Sequence, residues 1–264
     1  MKLKILPWLM LVSLPVWGDF YEGLEAYERG DHTTALKAWR SLAIQGNASA
    51  QYDLGLVYLS AQGPERDPVK AAYWFRKAAA QKLPRAQSML GTLYEQGLGV
   101  ARDYRQAASL YRQAGEGGDP LGQYRLGVLY HDGLGIAPDF AQAALWLRHA
   151  AERGLAPAQY QLATLYYNGK GVPRRYTEAL KWHRRAAGQG YVDSLISLGL
   201  MHFKGEGVDK DYLQAYSWWS LAVAGGDQQS LKARDAVAAM LSEQQLAEAQ
   251  RIVEERRQKI FDES

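Results

Sequence analysis

The chain reads as all-α, built from about five helix–turn–helix repeats of 36 residues with helical caps at both ends. Three observations predict this. The segment LYEQGLGVARD at residue 93 recurs as LYHDGLGIAPD at 129, LYYNGKGVPRR at 165 and MHFKGEGVDKD at 201, with a weaker copy, VYLSAQGPERD, at 57. In and between these segments residues follow helical spacing: 86, 90, 93, 94 fall at i, i+4, i+7, i+8, and 107, 110, 111, 114 at i, i+3, i+4, i+7. Finally, whole columns keep their chemistry at the 36-residue step, as in Leu54, Leu90, Leu126, Leu162 and Leu198, or Ala71, Ala107, Ala143, Ala179 and Ala215.

Residues 1–18 stand apart from the rest. Lys2 and Lys4 precede a largely apolar run from Ile5 to Val16, and Val16 and Gly18 are small enough for a processing site. This reads as a signal peptide cut after Gly18, too short for a membrane span and interrupted by Pro7 and Pro15. The expected location is periplasmic or secreted, with no stable membrane span after cleavage. Lys2 and Lys4 are two of the 31 basic residues, so the chain beyond Gly18 carries 29 against 28 acidic ones. That balance gives no electrostatic reason for a nucleic-acid partner. There is no cysteine, so disulfides, thiolate metal sites and cysteine nucleophiles are excluded.

Residues 19–46 then form a looser helical pair around Tyr27, Gly30-Asp31, Ala35, Trp39 and Ala43. Five windows follow without gaps: 47–82, 83–118, 119–154, 155–190 and 191–226. In each, a first helix ends near the glycine pair. Gly97, Gly133, Gly169 and Gly205 are placed to close it in the left-handed conformation. Asp67, Asp103, Asp139 and Asp211 stand where a second helix needs its N-cap. A nucleotide-binding GxG would follow a strand and occur once; this one turns a corner four times. Gly55, Gly91, Gly127, Ala163 and Gly199 lie mid-helix, where glycine costs about 1 kcal/mol relative to alanine. They predict a neighbouring helix backbone packed too close for a side chain. Trp74, Trp146, Trp182 and Trp218 are expected to bury within the stack, with Leu110 in the same column. After residue 226 the pattern stops. Residues 228–241 read as one helix, and Ser242 with Gln245 forms a capping box for another carrying Leu246, Ala249, Val253 and Ile260 on one side.

The pattern A-x-Q-x-x-L-G-x-x-Y-x-x-G-x-G-V, then D-Y-x-x-A-x-x-W-x-x-x-A-A, resembles the Sel-one-like repeat (SLR) family, relatives of the tetratricopeptide repeats. The resemblance covers about 47–226 and is fullest over 84–115 and 156–187. Ala61, Leu110 and Arg175 depart from it, replacing a glycine, the tryptophan and the capping aspartate. It implies a right-handed α/α superhelical solenoid that binds proteins or peptides, with the first helices lining its concave face.

No catalytic, cofactor-binding or metal-binding set emerges. His32, His131, His149, His183 and His202 include no i, i+4 pair, and HExxH, G-x-S-x-G and S-x-x-K are missing. His183 and His202 occupy core-type columns and read as packing residues. Positions that vary between fixed columns are the binding candidates: Asp53, Met89, Arg125, Gln161 and Ser197, then Leu59, Glu95, His131, Tyr167 and Phe203, with Ser60, Gln96, Asp132, Asn168 and Lys204 beside them. The predicted partner-binding set is Glu95, Arg125, His131, Asp132, Gln161, Tyr167 and Phe203. Arg184 and Arg185 join it from the fourth window, where six basic residues face Glu178 alone. The expected partner is a protein or peptide, held in an adaptor, regulatory or toxin-neutralising role, with weak contact to anionic envelope components as an addition. Cysteine-rich secreted members of the family suggest the alternative of an envelope hydrolase or penicillin-binding, β-lactamase-like activity. Those members rely on disulfides between helices, and this chain has none. A peptidoglycan or polysaccharide binder, using Tyr and Trp faces, is the third reading.

Overall fold

The computed structural model describes residues 14–60 and 66–262, and among them every regular element is helical. An N-terminal pair, α1 (Leu14–Glu28) and α2 (His32–Ile44), precedes the repeats. The repeats are α3 (Ala48–Ser60) with α4 (Pro68–Ala80), α5 (Pro84–Gln96) with α6 (Tyr104–Glu116), α7 (Pro120–Asp132) with α8 (Phe140–Glu152), α9 (Ala156–Asn168) with α10 (Tyr176–Ala187), and α11 (Val192–Lys204) with α12 (Tyr212–Ala224). Then come α13 (Ser230–Ala238), α14 (Glu243–Arg257) and a terminal π-helical turn, Gln258–Asp262. Most of the expected signal peptide lies outside the described residues, as do Ala61 and Gly63 of the first repeat's turn; α1 begins at Leu14 and runs across the expected cut.

Each boundary has a local cause. In α5, Pro84 occupies the first turn, where its missing N–H is no loss. Gly97 ends the helix at φ 70° and ψ 33°, returning its N–H to the Leu93 carbonyl. Asp103 then caps α6, accepting from the backbone N–H groups of Arg105 and Gln106. Asp67 and Asp139 do the same for α4 and α8, and Asp211 caps α12 by accepting from the Gln214 N–H alone. Arg175 has no such side chain, and α10 starts without a side-chain cap, with Glu178 in its first turn. The N–H of each capping residue bonds the carbonyl of the tyrosine column: Asp103 to Tyr94, Asp139 to Tyr130, Arg175 to Tyr166, Asp211 to His202. Because that bond is main-chain, it survives the change to histidine at 202.

The mid-helix glycines have a different partner from the expected one. A Cβ on Gly55 would stand 2.5 Å from the Phe75 ring, one on Gly91 2.8 Å from Tyr111, and one on Gly199 2.5 Å from the Trp219 indole. At these three a side chain of the paired second helix fills the space, and at Gly127 the helix backbone comes close as well, with Leu147 N 3.2 Å away. The closest backbone approach occurs instead at the second glycine of each turn. A Cβ on Gly99 would fall 2.1 Å from the Pro68 carbonyl oxygen, and one on Gly171 2.1 Å from that of Phe140. The turn of one repeat thus rests directly on the start of the preceding second helix.

The column behind the tryptophans is the true core. Phe75, Tyr111, Leu147, His183 and Trp219 are all buried, whereas Trp74 and Trp146 are half-buried. Trp182 and Trp218 do go inside. The motif glutamine is buried too, and pays its polarity back to the preceding helix: Gln51 donates to the Ala43 carbonyl at 2.9 Å and Gln159 to that of Ala151 at 3.1 Å.

The chain gathers into two compact units, one running through Gly122 with residues 134–136, the other comprising residues 123–133 and 137 onward. Within the second unit the C-terminal helices cover the last repeat. The capping box of Ser242 and Gln245 forms as expected, Ala249 and Ile260 are buried, and Arg256 stacks 4.2 Å above the Trp218 ring while donating to Gln214.

Candidate partner-binding site

The first unit contributes Glu95 from the predicted set. Its carboxylate accepts from the Tyr111 hydroxyl at 2.5 Å, which ties it to the core ring of its own repeat. On α3 of the same unit, the half-buried Asp53 carboxyl is pushed up to about 6 by burial, with the Arg85 guanidinium pulling the other way.

The remaining predicted residues belong to the second unit. His131 Nδ1 lies 2.6 Å from Asp132 and its ring meets Phe140 edge-on at 5.3 Å. Tyr167 packs edge-on against Tyr176 at 5.2 Å, and Phe203 tilts against Tyr212 and Trp219. These column members therefore brace the turn onto the first residue of their second helix, a structural duty the sequence did not suggest. Arg125 lies half-buried beside the Tyr124 ring, and Gln161 is half-buried on α9. Arg184 and Arg185 are exposed on α10, with Arg185 stacked 4.6 Å from the Trp182 ring.

Between α9 and α11 lies a cavity of about 210 Å³. From α9 it is lined by Tyr160, Thr164, Tyr167 and Asn168, and from α11 by Ser197, Leu200 and Met201. His183, on α10, closes it from within. Tyr167, Asn168 and Ser197 are thus the variable positions that converge; Tyr160, Thr164, Leu200 and Met201 were not foreseen. His183 was assigned to packing, and it is packed, but it also lines the cavity. The one signal in the sequence was its column: Phe75, Tyr111, Leu147 and Trp219 elsewhere, and an imidazole here.

His183 is 2% exposed. Burial lowers its pKa to about 4, so the ring is neutral at physiological pH. Its Nδ1 pairs with the Ser194 hydroxyl at 3.2 Å and its ring leans on Tyr160. At the rim, the Tyr167 hydroxyl donates to Glu206 at 2.6 Å and accepts from Lys204 at 3.4 Å, and the two charged groups lie 4.0 Å apart. The lining is therefore a mixture of rings, two aliphatic walls and hydroxyl and amide groups, with no uncompensated charge at the Tyr167 edge. Among the described residues no three His, Cys, Asp or Glu side chains stand close enough to hold a metal ion, and no helix is long and apolar enough to cross a membrane.

A fold of repeated helix pairs, with its variable side chains on the first helices around a groove-like cavity, defines a repeat scaffold of the kind that serves protein–protein interaction. Sel1 repeats match residues 48–83, 84–119, 120–155, 156–191 and 192–227, and the chain belongs to that family. These matches each begin one residue after the windows read from the sequence. Among solved structures, the chain is similar to a protective antigen present in uropathogenic Escherichia coli strains that displays an SLR fold, at 30% identity and a TM-score of 0.81. The match covers 91% of this chain and 54% of that one. It is also similar to a Sel1 repeat protein from Oxalobacter formigenes, at 27% identity and a TM-score of 0.75, covering 89% of this chain and 99% of that one. No curated protein matches the chain.

Proposed function

We propose that the protein is a secreted or periplasmic scaffold that holds another protein or a peptide against the first-helix face of its second unit, in an adaptor, regulatory or toxin-neutralising role. One observation carries this reading. The cavity between α9 and α11, at about 210 Å³, is smaller than the ~300–1,000 Å³ of sites that enclose a whole small molecule. It suits a single projecting side chain, the way a protein partner anchors itself. Around that anchor Arg125, Gln161, Tyr167 and Phe203 supply adaptable contacts, and Arg184 and Arg185 supply charge that steers approach.

The test is capture from an envelope extract on immobilised protein lacking residues 1–18, with the retained protein identified by mass spectrometry. Replacing Arg125 and Gln161 together by alanine should abolish capture without lowering the melting temperature. Unchanged capture by that variant would remove the face from the reading. Export is tested separately: N-terminal sequencing of the exported protein should begin at or near Asp19, and a full-length cytosolic product would end that part of the proposal.

A further inference from the structure

The fourth repeat differs from its neighbours inside as well as outside. In the first, second and fifth repeats an aromatic ring of the second helix lies over a mid-helix glycine: Phe75 over Gly55, Tyr111 over Gly91, Trp219 over Gly199. In the fourth, Ala163 takes the glycine's place and His183 the ring's, and both are buried. A methyl at this position would strike a ring seated as in those repeats, and here an imidazole takes the ring's place. The cavity lies on this side chain, between α9 and α11.

The imidazole also brings two ring nitrogens to this position. With Nδ1 engaged by Ser194, Nε2 has no hydrogen-bond partner among the described residues, although the side chain is 98% withdrawn from solvent. The residue lines the cavity, so a group seated there can supply the bond that Nε2 lacks. Whichever neutral tautomer is present, Nε2 offers one hydrogen bond, as a donor or as an acceptor. A hydroxyl can answer either, and a phenol carries one on a ring. The space is also sized for a ring: a cavity of about 150 Å³ holds benzene, so about 210 Å³ holds a ring with a substituent. Leu200 and Met201 supply apolar wall, and Tyr160 an aromatic face. Glu206 sits on the Tyr167 hydroxyl at the rim and Lys204 is already paired with it, so nothing there favours an anionic ring.

We infer that the cavity between α9 and α11 is the seat of one tyrosine side chain presented by a protein partner, its hydroxyl bonded to His183 Nε2. This rests on the partner-binding reading above and names the anchor that reading leaves open. The probe is p-cresol, the tyrosine side chain alone, titrated into the full chain and followed by saturation transfer to the p-cresol ring and, where His183 is present, by its ring resonances. It should bind in the millimolar range and shift them, while toluene and p-tolyl phosphate bind at least tenfold more weakly. The paired substitution Ala163→Gly with His183→Phe restores the first repeat's arrangement and should abolish p-cresol binding with the fold intact. Ser197→Trp, which blocks the cavity from α11 and leaves the core alone, should do the same. No p-cresol binding, toluene binding as tightly, or binding undiminished in both variants would overturn the tyrosine seat. None of these results bears on capture by the Arg125 and Gln161 variant, so failure of the seat and failure of the face are told apart.

Discussion

Asp53 is held half-buried on α3 with its carboxyl raised to about 6, and the sign of its effect follows from that direction. A folded pKa above the unfolded value means the folded state prefers the neutral acid. Stability is lost as pH rises from about 4 to about 6 and stays lost above. Asp53→Asn should therefore raise stability at pH 7 by about 1–2 kcal/mol, allowing for partial exposure, and the gain should vanish near pH 4. Chemical denaturation at the two pH values checks it. His183 runs the other way. Its folded pKa, near 4, lies below the unfolded value of about 6.5, so stability falls as pH drops through that interval, by about 3 kcal/mol in all. The His183 share of the loss should disappear in the Ala163→Gly, His183→Phe pair, measured as a weaker pH dependence of the melting temperature. His202 adds in the same direction. It is buried, and burial first and the Arg184 guanidinium second lower its pKa.

At the scale of the element, caps and core columns can be compared repeat against repeat. The helix α10 begins at Arg175 without a side-chain cap where α4, α6, α8 and α12 each have an aspartate. Arg175→Asp should stabilise the chain by about 0.5–2 kcal/mol, seen as a rise in melting temperature. The core columns give a second comparison. Leu147 is 1% exposed and sits against Gly127, while Trp146 is half-buried. Leu147→Ala should cost about 2–5 kcal/mol, and Trp146→Ala less, although it removes the larger side chain. The reverse order in denaturant melts would restore the tryptophans as the inner column. Helices, caps and turns were legible in the sequence because each rests on contacts a few residues apart, as Gly97 with Leu93 and Asp103 with Arg105 show. The inner column was not, because the choice between Trp146 and Leu147 depends on the helix's rotation against its partner. The cavity was legible only in pieces: Tyr167, Asn168 and Ser197 stand out as variable, whereas Thr164 and Met201 join them through packing across 37 residues. The role of Glu95 as acceptor for Tyr111 was likewise invisible, since either residue alone reads as ordinary surface or core.

For the molecule as a whole, what matters is how one repeat is joined to the next. The first glycine of a turn is there for its conformation: a Cβ on Gly169 would lie 3.1 Å from its nearest neighbour, on the Arg174 side chain. The second carries the junction. Gly171 has φ 70° and its missing Cβ would strike the Phe140 carbonyl at 2.1 Å. Gly171→Ala should therefore destabilise more than Gly169→Ala. It should also separate the unfolding of the third repeat from that of the fourth, giving a broader denaturant transition with a lower m-value. A sharp transition with only a shifted midpoint would place the coupling elsewhere.

These two kinds of contact have unequal demands on sequence. The ring and the glycine it covers, such as Tyr111 and Gly91, lie 20 residues apart inside one repeat and must suit each other. The junction glycine meets only carbonyl and amide atoms of the preceding repeat, Pro68 for Gly99 and Phe140 for Gly171, and every residue has those atoms. At the junction glycine the seam asks only for backbone, while other side chains do cross it, as Arg148 to Tyr166 and Tyr167 to Glu206 show. A 36-residue segment copied or deleted as a unit carries its own matched pair with it and offers the same backbone seat to the next junction glycine. Copying or deleting a whole repeat therefore keeps each such pair together, and the fourth repeat carries Ala163 with His183 where the third has Gly127 with Leu147 and the fifth Gly199 with Trp219.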